Sequence, residues 1–204
     1  MALRNLFATP VYEASLADER GFAAFNAELE AACRMLAAED RAGRAWCKAH
    51  GYGGYTSYAS LNDLPQRASI FGRLKTKLDR HAAAFAQALE FDLGGGRLRL
   101  DSLWVNLLKG SGHHAGHIHP HSIISGTLYV EVPDGAGAIR FEDPRLPLMM
   151  AAPQRRKDAG EELQPFVIVR PRPGLLLLWE SWMRHEVLGG TARGDRLSIS
   201  FNFA

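Results

Sequence analysis

Beyond the triplet Gly94-Gly95-Gly96 the chain changes character, and that change constrains its fold more than anything else in the sequence. Six short runs rich in β-branched, leucine and aromatic residues follow one another: Leu98 to Leu108, Ile123 to Val132, Ala138 to Phe141, Phe166 to Arg170, Leu175 to Trp179 and Leu197 to Phe203. Turn chemistry separates them, including Pro133-Asp134-Gly135 and Arg172-Pro173-Gly174. Many short strands joined by turns predict a sandwich or jelly roll. In the last run the alternation is strict. Arg196, Ser198 and Ser200 share one face of a strand, and Leu197, Ile199 and Phe201 share the other.

The first half reads differently. After Ser15 and Asp18, both suited to cap a helix, apolar residues recur at Phe22, Phe25, Leu29, Cys33 and Leu36 and line one helix face. A second stripe, Ile70, Phe71, Leu74, Leu78, Ala82, Phe85 and Leu89, predicts a helix from about Arg67 to Leu89. Between them, Gly51 to Tyr58 is too glycine-rich for a helix and reads as loop or edge strand. The expected fold class is α+β: a double-stranded β-helix (jelly roll, cupin-like) core over about residues 97–204. Helices in about residues 1–93 would buttress one of its sheets, the whole forming a single domain across 1–204.

Composition narrows the function. At 204 residues, with 47% hydrophobic and 23% charged residues, the chain is an ordinary globular protein rather than a disordered one. Net charge is only +2. The densest basic cluster, Arg155-Arg156-Lys157, lies in a loop flanked by proline, glycine and alanine, which argues for a solvated loop and no nucleic-acid partner. Cys33 and Cys47 show neither metal spacing nor a disulfide framework, in keeping with a reducing cytoplasm. No apolar run is long enough for a signal peptide or a membrane span.

Histidine usage is lopsided, with five of the eight residues between positions 113 and 121. His113 and His114 read as members of a polar loop. His117-Ile118-His119-Pro120 differs, because imidazoles at i and i+2 of an extended segment point the same way. His121 repeats the spacing and stands as an alternative ligand. A distant His185 could complete a facial set, and imidazole alone suits Zn, Cu, Fe or Ni. Arg196, on the polar face of its strand, has the geometry that bidentate carboxylate recognition uses, unless it pairs with an acid such as Asp195.

These residues, in this order, resemble the 2-oxoglutarate- and Fe(II)-dependent oxygenases with a double-stranded β-helix core, prolyl hydroxylases among them. More narrowly the chain is similar to a group of small bacterial oxygenases of this kind. The resemblance rests on Gly54-Tyr55-Thr56-Ser57-Tyr58 with Leu61-Asn62-Asp63-Leu64, Trp104-Val105-Asn106 and His117-Ile118-His119-Pro120. It continues through Ser125-Gly126-Thr127-Leu128-Tyr129-Val130, Phe141-Glu142-Asp143-Pro144-Arg145, Ser181-Trp182, His185 and Arg196 to Asn202. It implies Fe(II) on His117, His119 and His185, with 2-oxoglutarate as co-substrate and O2 as oxidant. Arg196 would hold the distal carboxylate, helped by Tyr129, while Asn106 and Ser198 line the co-substrate pocket. No catalytic residue beyond the metal ligands is implied, because the oxidation itself needs no protein acid or base.

One departure matters. The wider superfamily has Asp or Glu where this chain has His119, and three neutral imidazoles leave one more positive charge at the metal. Asp143 and Asp101 are the carboxylates that could otherwise complete the site. Two rival readings follow: a cupin-like three-histidine dioxygenase that does not use 2-oxoglutarate, and a non-enzymatic module holding zinc with a fourth ligand such as His121 or His114. Neither a small-molecule nor a protein substrate is favoured, and an exposed apolar helix face could serve a homodimer.

Overall fold

The strand with the strictest alternation lies in the interior of the larger sheet. In a computed structural model, which describes residues 2–204, ten strands form two antiparallel sheets. In chain order they are β1 (Val11–Ser15), β2 (Gly54–Thr56), β3 (Leu100–Leu108), β4 (His114–His117), β5 (Ile124–Glu131), β6 (Ile139–Glu142), β7 (Phe166–Val169), β8 (Leu175–Glu180), β9 (His185–Val187) and β10 (Arg196–Phe203). The larger sheet runs β1-β8-β5-β10-β3-β2 and the smaller β4-β9-β6-β7. Three helices precede most of this: α1 (Phe22–Glu39), α2 (Arg41–Ala49) and α3 (Ser69–Ala88).

Alternation decides what each face touches. Leu103 and Val105 of β3, Leu128 and Val130 of β5, Leu176 and Leu178 of β8, and Leu197, Ile199, Phe201 and Phe203 of β10 are buried against the helices. There they meet Leu29 and Cys33 of α1 and Leu74, Leu78 and Phe85 of α3, so the helices cover the outer face of the larger sheet. Each such side chain contributes about 1.5–3 kcal/mol when fully buried.

The opposite face looks into the sandwich and is divided. Toward β5 and β8 it is apolar, with Tyr129, Leu175, Leu177 and Trp179 packed on Ile139 and Phe141 of β6. Toward β10 and β3 it presents Arg196, Ser198, Ser200, Asn202, Ser102 and Asn106, which line a cavity. The alternating strand therefore builds core on one side and a polar wall on the other.

The structure departs from the sequence-based expectations at several places. Ser15 precedes a short 3-10 turn and makes no side-chain cap, as does no residue at the start of α1. That helix begins instead at Gly21, whose φ of 80° is left-handed and open to glycine without a Cβ penalty. α2 is not among the expected helices, although Ala42, Ala45, Trp46 and Ala49 repeat at helical spacing, because it is only nine residues long. Asp40 caps it by accepting from the Gly43 N–H at 2.9 Å. β1, which was not among the expected strands, forms one edge of the larger sheet, while β2 at the other edge falls within the stretch read as loop or edge strand. β4 turns His114 from a loop residue into the first residue of a strand.

Candidate metal centre

Antiparallel pairing sets the first two histidines. His117 closes β4 and stands opposite His185, the first residue of β9, so their side chains project from neighbouring positions. Their ring centroids lie 4.4 Å apart. His119 follows just beyond β4, where its N–H donates to the Ser181 carbonyl at 2.9 Å. Its ring centroid is 5.2 Å from each of the other two. One nitrogen from each of the three falls within 4.8 Å of the others, close enough that the trio could hold a metal ion.

Hydrogen bonds fix which nitrogen each ring offers. His117 Nδ1 donates to the Ala115 carbonyl at 2.7 Å and His185 Nδ1 to the Met183 carbonyl at 2.9 Å. Carbonyl oxygens only accept, so both Nδ1 atoms carry their protons and both Nε2 lone pairs are free. His119 Nδ1 lies 2.7 Å from Asn202 Oδ1. Asn202 is itself oriented, since its Nδ2 donates to Ser102 Oγ and its Oδ1 accepts from Ser125 Oγ. Burial pushes the His185 pKa down to about 3 and lowers that of His119, so both rings are neutral near pH 7, as metal ligands must be. The donor set suits a first-row metal: three neutral imidazoles, locked from behind, converging on a cavity of about 430 Å³.

No carboxylate joins this group among the described residues. Asp143 is committed to Arg145 at 2.8 Å, and Asp101 lies at the cavity wall. His121 is exposed at the same wall, and the Tyr52 hydroxyl engages His114 Nε2. The second position of the trio is an imidazole.

Arg196 lines the same cavity. It is 4% exposed, it donates from Nη1 to the Gly137 carbonyl at 3.0 Å, and its Cζ sits 5.6 Å from the Tyr129 ring centroid. Among the described residues no acid pairs with it, Asp195 included, and its Nε has no partner at all. Burial lowers its pKa, and nearby Tyr129 and Tyr52 act in the other direction. A buried guanidinium without a counter-charge costs several kcal/mol unless an anion arrives.

The remaining polar wall was only partly legible. Asn106 lines the cavity, accepting from Thr56 Oγ1 at 2.8 Å and donating to Ser200 Oγ at 3.0 Å. Ser198 lines the same cavity. Tyr52, one of the aromatic residues the sequence offers for a pocket wall, and His114, read first as a loop residue and as a possible fourth ligand, both line the cavity. Burial, then the charge of Arg196, pushes the His114 pKa down to about 3, so it accepts from Tyr52 as a neutral ring. The signal was the His114-x-x-His117 spacing beside a glycine-flanked tyrosine, which alone does not separate a strand from a loop.

One cavity of this jelly roll is thus lined both by a histidine trio that could hold a metal ion and by a buried arginine without a counter-charge. The sequence model of the family described as "Putative 2OG-Fe(II) oxygenase" matches residues 102–202. The chain belongs to these 2-oxoglutarate- and Fe(II)-dependent oxygenases, oxidoreductases that work with Fe(II), 2-oxoglutarate and O2. No curated protein matches it in sequence. Among solved structures it is similar to the alpha ketoglutarate dependent epimerase SnoN of nogalamycin biosynthesis, at 20% identity and a TM-score of 0.64, over 97% of this chain and 78% of that one. It is also similar to a Pseudomonas putida prolyl-4-hydroxylase, at 19% identity and a TM-score of 0.62, over 96% and 92%. HygX from Streptomyces hygroscopicus, solved with nickel and 2-oxoglutarate bound, gives 16% identity and a TM-score of 0.56, over 97% and 82%. At these identities the likeness establishes the fold.

Proposed function

We propose that the chain acts as one domain in which His117, His119 and His185 hold Fe(II) through Nε2, and that it hydroxylates an organic substrate. Arg196 binds the distal carboxylate of 2-oxoglutarate, with the Tyr129 hydroxyl beside it, while Asn106 and Ser198 shape the wall between the arginine and the metal. Bound iron supplies the redox chemistry that couples loss of CO2 from 2-oxoglutarate to insertion of one oxygen atom of O2 into a C–H bond, the other atom ending in succinate. The protein's own part is to place the dianion, exclude water and leave one side of the cavity open to substrate. Asn202 and the carbonyls of Ala115 and Met183 keep the imidazoles aimed.

The single observation that carries this reading is Arg196, buried, without an acid, and with an unpaired Nε at the cavity. The cupin-like rival has no use for such a group. A closed zinc site would want a fourth protein ligand, and the cluster offers three. Two buried free thiols support a cytoplasmic setting, and the pairing of Arg156 with Asp158 supports a solvated basic loop over a nucleic-acid face.

The test is anaerobic addition of 2-oxoglutarate to the Fe(II)-loaded protein, read by the visible charge-transfer band of the chelated complex. The band is expected in the parent, absent in His119→Ala, and shifted to far higher 2-oxoglutarate concentrations in Arg196→Met. Iron bound without any band would overturn the 2-oxoglutarate assignment in favour of the three-histidine dioxygenase.

A further inference from the structure

The rim of the cavity differs chemically from its depth. The bases among the lining residues are His114, His117, His119, His121, His185 and Arg196, of which His121 is exposed. At the rim stands the single carboxylate among the lining residues, Asp101. A break in strand register puts it there. Asn202 pairs with Ser102 but Phe203 pairs with Leu100, which leaves Asp101 as the extra residue of a β-bulge. In an unbroken strand Asp101 and Ser102 would point to opposite faces, yet here both line the cavity.

Asp101 makes no ion pair among the described residues. An aromatic wall runs inward along the same lining. Tyr58, 55% exposed, meets Trp104 edge to face at 5.1 Å, and the Trp104 ring lies 6.0 Å from that of His119. The wall thus leads from open solvent to the histidine cluster. A carboxylate combined with the faces of tyrosine and tryptophan recognises a positively charged nitrogen, by Coulombic attraction and by the ring quadrupoles together.

We propose that Asp101, Tyr58 and Trp104 form the substrate-recognition rim of this enzyme and that its substrate carries an organic ammonium group. The inference rests on the oxygenase reading above and extends it to the class of substrate. An anionic substrate would be repelled by the one carboxylate at the entrance, and a neutral one would gain nothing from it. With the ammonium held at the rim, the rest of the substrate extends past Trp104 toward the imidazoles, so the oxidised carbon lies some bonds away from the nitrogen.

The test uses the protein loaded anaerobically with Fe(II) and 2-oxoglutarate, titrated at fixed ionic strength and followed by tryptophan fluorescence. The probes are n-butylammonium and tetramethylammonium chloride, each against a neutral alcohol of similar size, n-pentanol and tert-butanol. At least one cation is expected to bind on the order of tenfold more tightly than its alcohol, and Asp101→Asn is expected to remove most of that preference. Equal binding of cation and alcohol, or a preference untouched in Asp101→Asn, would overturn the proposal. The charge-transfer band is recorded on the same samples. Its absence condemns the co-substrate assignment, whereas a band without cation preference condemns only the rim.

Discussion

Asn202 holds three neighbours with one amide: it accepts from His119 and Ser125 and donates to Ser102. Replacing it by alanine removes the one protein partner that His119 Nδ1 has among the described residues, and loss of such outer partners costs about 10–100-fold in metal affinity. A chelator competition on Asn202→Ala should show a weakening in that range. An affinity equal to the parent's would mean that His119 is not a ligand. The buried histidines carry a second prediction. His114 and His185 titrate near 3 in the folded protein and near 6.5 in an unfolded chain, so the unfolded state binds more protons between those values. Stability of the metal-free protein therefore falls as pH drops below about 6.5 and continues to fall toward 3. Thermal unfolding in a pH series should show the slope, and His114→Gln, which cannot take up the proton, should flatten it.

At the scale of the elements, α3 shows what burial at helical spacing is worth. Leu78 is fully buried between helix and sheet, and Leu78→Ala should cost about 3 kcal/mol, lowering Tm by roughly 10 °C in calorimetry. Gly126 in β5 makes the complementary case, since a Cβ there would sit 2.6 Å from the Leu177 carbonyl oxygen and push into the Phe201 ring. Gly126→Ala should destabilise by about 1–3 kcal/mol, read as a lower denaturant midpoint with unchanged slope. The same elements explain what could be read in advance. α1, α3 and β10 announce themselves because their apolar residues repeat with the period of the structure they form. α2 is only nine residues long, held by the Asp40 cap and by Tyr55 and Ser60 bonding to that carboxylate. β4 and β9 are four and three residues long, and exist through tertiary pairing, β4 with β9 and β9 also with β6. That His117, His119 and His185 come together, and that Arg196 faces the cavity, was legible because spacing and residue type suffice for it. The contact of Tyr52 with His114 spans 62 residues, and no local pattern encodes it.

For the molecule as a whole, the divided interior separates what stabilises from what reacts. Tyr129, Phe141, Leu177 and Trp179 pack the two sheets at one side, while the serines, Asn202 and Arg196 keep the other side open. A ligand that binds only the folded state adds about 2.7 kcal/mol at a hundredfold excess over Kd. Zinc, a redox-silent stand-in for iron, should then raise Tm by roughly 5–10 °C, and the rise should vanish in His117→Ala while the metal-free Tm stays close to the parent's. A rise that survives the substitution would place the bound metal elsewhere.

β10 lies between β5 and β3, yet it follows both in the chain. A ribosome making this protein releases the two flanking strands first and their partner last, with the seventy or so residues from β5 to the end of β10 taking on the order of 4 to 14 seconds. Throughout that interval β3 and β5 present unpaired N–H and C=O groups to the cell, and the helices have no finished sheet to cover. Half of the polar wall, from Arg196 to Asn202, arrives on the same late strand. The nascent chain therefore passes through a period in which its adhesive edges are bare and its chemistry has not yet been assembled.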